Sequence, residues 1–212
     1  MTAVIFDLDG TLLDTLEDLT DAVNATMDAF GYPRRSLEEV RQFVGNGAAR
    51  LIQLAVPESV DFAPAFAWFK TYYDAHCRIK TGPYPGILEA LAQIAARYPV
   101  AIVSNKPDTA VKALCADYFP GVFAIGEHPG CPRKPAADMV WKAMTALDAQ
   151  RCIYVGDSEV DVETARNAGV PCLNVLWGFR DRDVLENAGA TCFCDQTAQL
   201  PMAVETMLLQ EK

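Results

Sequence analysis

The chain has 212 residues, 51% of them hydrophobic, and a formal charge of −10. That length supports one good core, or a core with a smaller attached unit. The acidic balance argues against nucleic acid or an anionic membrane as partner, and no apolar run approaches the roughly 18 residues of a membrane span.

A short apolar run at residues 3–6, with Val4, Ile5 and Phe6, has the character of a buried parallel strand and leads straight into Asp7 and Asp9. Unpaired acids inside such a strand are expensive. They are therefore expected at its end, facing the crevice where open parallel sheets bind ligands. The same strand stands where a secretory leader would, so a cytoplasmic protein is expected, as a monomer or homodimer. Residues 15–30 read as a helix, with Leu16, Leu19, Val23 and Met27 at helical spacing and Gly31 and Pro33 to stop it. Further helices are expected over 36–43, 47–55 and 60–80. The stretch TGPYPG at 81–86 then marks a boundary.

Beyond it, apolar runs at 100–104, 122–125, 152–156, 172–176 and 191–194 alternate with helical stretches. Strand and helix in alternation imply a parallel sheet with crossover helices. The expected class is α/β: a Rossmann-like sheet with helices on both faces, formed by residues 1–13 and 83–212, with a helical cap inserted at 14–82. Its hinges are expected near Asp14–Thr15 and Gly82–Pro85. Seven cysteines form no C-x-x-C pair, and most sit among apolar neighbours, so reduced and buried thiols are expected.

Three further polar clusters fall at strand ends or in the loops between units. Ser104-Asn105-Lys106 follows VAIV, Arg133-Lys134-Pro135 opens a helix, and GDSEVD at 156–161 follows CIYV. With Asp7 and Asp9 they bring acids, a hydroxyl and two lysines to one sheet edge, an inventory suited to phosphoryl transfer. Carboxylates hold a hard cation through oxygen, usually magnesium. A hydroxyl, backbone N–H groups and a lysine hold phosphate. Each cluster alone has a plainer reading. GDSEVD could be only a helix start, with Ser158 as cap and Asp161 three residues on. DLDG fails as an EF-hand loop, because Leu12 stands where the sixth-position glycine belongs. GNGAAR at 45–50 reads equally as a turn opening a cap helix or as a substrate-contacting loop. The aromatic run 66–73 reads as cap core before binding box.

DLDGT, the serine of VSNK, the lysine of RKP and the paired acids of GDSEVD occur in one order over residues 7–161. In this the chain resembles the haloacid dehalogenase superfamily phosphatases with a helical cap after the first strand, phosphoglycolate phosphatases among them. The resemblance implies that Asp7 attacks phosphorus and becomes an aspartyl-phosphate, while Asp9 protonates the leaving oxygen and later deprotonates water. It implies that Asp7, the carbonyl of Asp9 and Asp157 hold Mg2+. Gly10, Ser104, Asn105 and Lys134 would hold phosphate, with Lys134 also neutralising Asp7 and Asp161 orienting Lys134 or a metal-bound water. Should the leaving group be a small carboxylate, the cap must offer a cation or N–H donors, and Arg50 is the candidate, with Asn46 and Gly47 behind it. The expected activity is a magnesium-dependent phosphatase acting on a small phosphorylated metabolite. A phosphosugar mutase and a non-catalytic binding relative are the alternatives.

Overall fold

The computed structural model describes residues 1–210. Strand β1 (Thr2–Phe6) leads through a turn into β2 (Leu13–Asp14), then into four helices: α1 (Leu16–Phe30), α2 (Leu37–Phe43), α3 (Ala48–Ala55) and α4 (Ala63–His76). β3 (Gly82–Pro83) returns antiparallel to β2. The first half of the alternating region comprises α5 (Ile87–Ala95), β4 (Val100–Pro107), α6 (Asp108–Tyr118), β5 (Phe123–Glu127) and α7 (Asp138–Ala146). It continues with β6 (Arg151–Gly156), α8 (Glu159–Ala168), β7 (Cys172–Val175), α9 (Arg182–Asn187), β8 (Phe193–Cys194) and α10 (Leu200–Gln210).

The six longer-range strands form one parallel sheet in the order β5-β4-β1-β6-β7-β8. β1 lies at its centre, with Phe6 opposite Ile102 on one side and Val155 on the other. Side chains alternate across the strands. Val4, Phe6, Ile102 and Val155 accordingly pack with Ile87, Leu91 and Val204 on one face, while Ile5, Ala101 and Tyr154 pack with Met139 and Val140 on the other. Both faces are covered, as a parallel sheet requires. The chain winds outward from β1 through β4 to β5, then back through β6 to β8, so a crevice opens at the ends of β1, β4 and β6.

The helices α1 to α4 bury a cluster of their own, including Leu19, Val23, Met27, Ile52 and Phe69. They join the sheet through the β2–β3 ribbon, where Leu13 faces Pro83. Asp18 on α1 is buried and accepts hydrogen bonds of 2.9–3.0 Å from the N–H groups of Ile79, Lys80 and Thr81. The returning chain is thereby tied to α1, and α4 ends at His76 instead of running to residue 80. All six expected strands are present; β4 extends to Pro107 and so carries Ser104, Asn105 and Lys106 within its length. All seven cysteines are free, with Cys172 and Cys192 half-buried and the others buried. Among the described residues, no helix is long and apolar enough to cross a membrane.

Candidate active site

Asp7 donates its N–H to the carbonyl of Val155 at 2.8 Å, which extends the ladder one residue past β1 and fixes where the carboxylate leaves the sheet. Lys134, 2% exposed, places Nζ 2.8 Å from Asp7 Oδ1 and 2.8 Å from Asp161 Oδ1. The Tyr154 hydroxyl lies 3.1 Å from the same ammonium and donates to Asp161 Oδ1 at 3.0 Å. The other oxygen of Asp161 accepts from the N–H groups of Asp157 and Ser158 and from the Ser158 hydroxyl at 2.6 Å. One carboxylate thus closes the start of α8 and holds Lys134, so the helix-start reading of GDSEVD and the functional one describe the same residue. Asp157 accepts from the Thr11 hydroxyl at 2.9 Å and from the Phe179 N–H at 2.8 Å.

Burial sets the electrostatics. It opposes the charge on Lys134, but Asp161 and Asp7 outweigh it and hold the ammonium above its ordinary pKa. Burial is also the largest influence on Asp7, raising its carboxyl well above the usual range, with Lys134 opposing and Asp161 and Asp157 reinforcing. Asp157 is pushed up to about 7, by burial first and then by Asp161. Asp7, Asp157 and Asp161 each bring a carboxylate oxygen within 4.8 Å of the others. Asp161 has both oxygens engaged, whereas among the described residues the buried Asp7 Oδ1 meets no polar group but the Lys134 ammonium. An all-oxygen donor set with surplus negative charge fits a hard divalent cation.

The other sequence candidates divide. The Ser104 hydroxyl reaches toward Asp9 Oδ2 at 3.4 Å and accepts from the Lys106 N–H. The Asp9 carboxylate is not one of the converging acids and has Oδ1 2.8 Å from Lys106 Nζ, which leaves its carbonyl as the donor the resemblance assigns to a metal. Gly10 passes beneath Asp157 at a φ of 85°. Asn105 is engaged elsewhere: its side chain exchanges hydrogen bonds with the backbone of Lys134 at 2.7 and 2.9 Å and donates to the Gly45 carbonyl at 3.1 Å. It lines the pocket, but both donations of its amide go to backbone carbonyls, so it positions the lysine loop and offers no free donor. Arg50 lies on the exposed face of α3, bonded to Gln53 at 2.9 Å, and does not line the pocket. Gly47 and Ala48 do line it, while Asn46 does not.

The sequence places Lys106, inside VSNK, among the charges at this sheet edge but does not show its partners, and it assigns no site role to Tyr73 or Arg180. Tyr73, within the aromatic run, is cap core by its ring and polar at the pocket by its hydroxyl, which accepts from Lys106 at 2.6 Å. Arg180 follows VLWGF and spans from Glu159, at 2.8 Å, to the carbonyls of Arg41 and Val44, at 2.8 and 2.6 Å.

Residues 4–175 match the haloacid dehalogenase-like hydrolase family. The chain is 35% identical to a phosphoglycolate phosphatase of Rhodobacter capsulatus, covering 96% of each protein. It is 32% identical to phosphoglycolate phosphatase 1 of Pseudomonas aeruginosa, over 94% of this chain and 79% of that one. A solved structure from Lactobacillus delbrueckii subsp. bulgaricus, itself named only by prediction as a phosphoglycolate phosphatase, superposes with a TM-score of 0.90 at 38% identity, covering 95% of this chain and 97% of the other.

Proposed function

The chain belongs to the haloacid dehalogenase-like hydrolase family, and from that premise we propose that it is a magnesium-dependent phosphatase of small phosphorylated acids, with phosphoglycolate as the first substrate to test. The observation that carries the reading is Lys134. A buried ammonium 2.8 Å from Asp7, held from behind by Asp161, stands where an incoming phosphate and a carboxylate nucleophile would otherwise repel each other.

In this reading Asp7 attacks phosphorus. A bond forms from its carboxylate oxygen as the bond to the leaving oxygen breaks, and Asp9 gives that oxygen a proton. Water then attacks the aspartyl-phosphate while Asp9 takes a proton from it, which releases inorganic phosphate and restores Asp7 as a carboxylate and Asp9 as the protonated acid. Ser104 and the backbone N–H groups at the strand ends hold phosphate oxygens, and Asp161 keeps Lys134 in place. Asp7, the Asp9 carbonyl and Asp157 would hold Mg2+, which when bound offsets the negative charge gathered around the phosphate. Residues 14–82 serve as a cap that keeps bulk water from the site. Leu19, Val44 and Leu51 give its inner wall an apolar surface suited to a small leaving group. Recognition of a carboxylate there falls to the Gly47–Ala48 backbone and not to Arg50.

The test is turnover on a panel of phosphorylated metabolites with magnesium, for the parent chain and for Asp7→Asn. Phosphate monoesters hydrolyse extremely slowly without catalysis, so Asp7→Asn is expected to fall to background while melting as a folded protein. Substantial turnover by the folded variant would overturn Asp7 as nucleophile.

A further inference from the structure

We propose that Lys106 and Tyr73 are positioning residues for Asp9, so that protonation of the leaving group depends on how helix α4 is seated against the sheet. This rests on the acid–base role read for Asp9 above. Lys106 ends the VSNK run on β4, is 6% exposed, and lies with Nζ 2.8 Å from Asp9 Oδ1. The same ammonium donates to the Tyr73 hydroxyl at 2.6 Å. Tyr73 is 3% exposed and comes from α4, so residues 33 positions apart in sequence meet across the pocket.

Packing alone does not call for that hydroxyl. The Tyr73 ring stacks on Phe69 at 5.3 Å within the apolar cluster of the helices, where phenylalanine would fill the same space. A buried phenol is costly unless it is matched, and Lys106 matches it. With the ammonium fixed by both Tyr73 and Asp9, it cannot swing away, and Asp9 Oδ1 is held with it. Among the described residues, the other Asp9 oxygen has only the longer 3.4 Å contact from Ser104. Placement matters here because a general acid must lie within hydrogen-bond reach of the atom it protonates, and a misplacement of ~1 Å can cost ~10²-fold in rate.

Two variants test the arrangement: Tyr73→Phe, which removes one oxygen and keeps the ring, and Lys106→Met, which keeps the stem and removes the charge. The measurement is kcat/KM, which covers steps through departure of the leaving group, on two probes. With 2-phosphoglycolate the departing alkoxide must be protonated; with 4-nitrophenyl phosphate the leaving group departs as a stable anion. Tyr73→Phe is expected to lower kcat/KM about 10-fold on phosphoglycolate and less than about 3-fold on the aryl ester, and Lys106→Met to show a larger loss, about 10²-fold, with the same selectivity. The double variant is expected to lose no more than Lys106→Met, since both act through one ammonium. Equal losses on the two probes, or losses that add in the double variant, would overturn the proposal. Asp9→Asn separates the two layers of argument. If it discriminates between the probes and Tyr73→Phe does not, only the positioning role fails. If Asp9→Asn itself shows no discrimination, the acid–base reading fails and the proposal with it.

Discussion

Gly10 holds a φ of 85°, and a Cβ built there would lie 2.3 Å from Asp157 Oδ2. The carboxylate it would strike cannot give way freely, being held by Thr11 and the Phe179 N–H, while Gly178 closes the other side with a Cβ that would fall 2.3 Å from that of Asp157. Gly10→Ala is therefore expected to destabilise the chain by about 1–3 kcal/mol and to lower turnover further by displacing Asp157. Thermal melting and kcat read the two effects, and a variant equal to the parent in both would show that the carboxylate has room to move. Residues of this kind are legible in sequence because their environment is local: Asp7 and Asp157 follow directly on buried strands, and Gly10 and Asp161 lie within five residues of the same strand ends. Asn105 is not, since its partner is the backbone of Lys134, 29 residues away, and only the close approach of two loops reveals that its amide is occupied. Arg50 misled for a different reason. α3 buries Leu51, Ile52 and Ala55, and a residue beside that stripe points to the pocket or to solvent according to how the helix is rolled, which periodicity does not fix.

Among the elements, α2 shows what holds the helices over the crevice. A helix end leaves carbonyls without partners, and here Arg180 supplies them from outside, donating to Arg41, Val44 and, at 3.4 Å, Gln42. Its other arm pairs with Glu159 on α8, and Arg41 returns a contact to Asp181 at 2.7 Å. Arg180→Met keeps the buried stem and removes these charged hydrogen bonds, each worth about 1.5–3 kcal/mol when a charged group is involved. The expected result is faster amide hydrogen exchange in residues 36–47 with β1 and β6 unchanged. Exchange that rises evenly across the chain would instead mean that Arg180 supports the fold as a whole. The strands and helices themselves were readable, because an alternating pattern of β-branched runs and 3.6-residue stripes has one economical solution. What the pattern could not supply was the end of α4, decided by Asp18 from 61 residues away, or the two-residue ribbon β2–β3, too short to carry any period.

The molecule as a whole carries a charge imbalance where its sheet changes winding direction. Asp7, Asp157 and Asp161 are 7%, 1% and 0% exposed, grouped around the single ammonium of Lys134. Burial, then Asp161, lifts Asp157 to about 7, against 3.8 for an ordinary aspartate. For an acid whose folded pKa is the higher one, the folded state binds more protons between the two values. Stability is then lost as pH rises from about 4 to about 7, and the deficit is complete above that range. Asp7, also raised by burial, acts with the same sign. Asp157→Asn removes one charge while Thr11 can turn its hydroxyl to accept from the new amide. In the metal-free protein at about pH 8 the variant is therefore expected to be more stable than the parent, by on the order of a few kcal/mol, or several degrees in Tm. The gap should close as pH falls toward 4. Magnesium held by this acid group would bind the folded state alone, so it is expected to raise the Tm of the parent and to do little for Asp157→Asn. A variant that melts below the parent at every pH and still gains from magnesium would show that Asp157 is a structural hydrogen-bond acceptor and not part of a cation site.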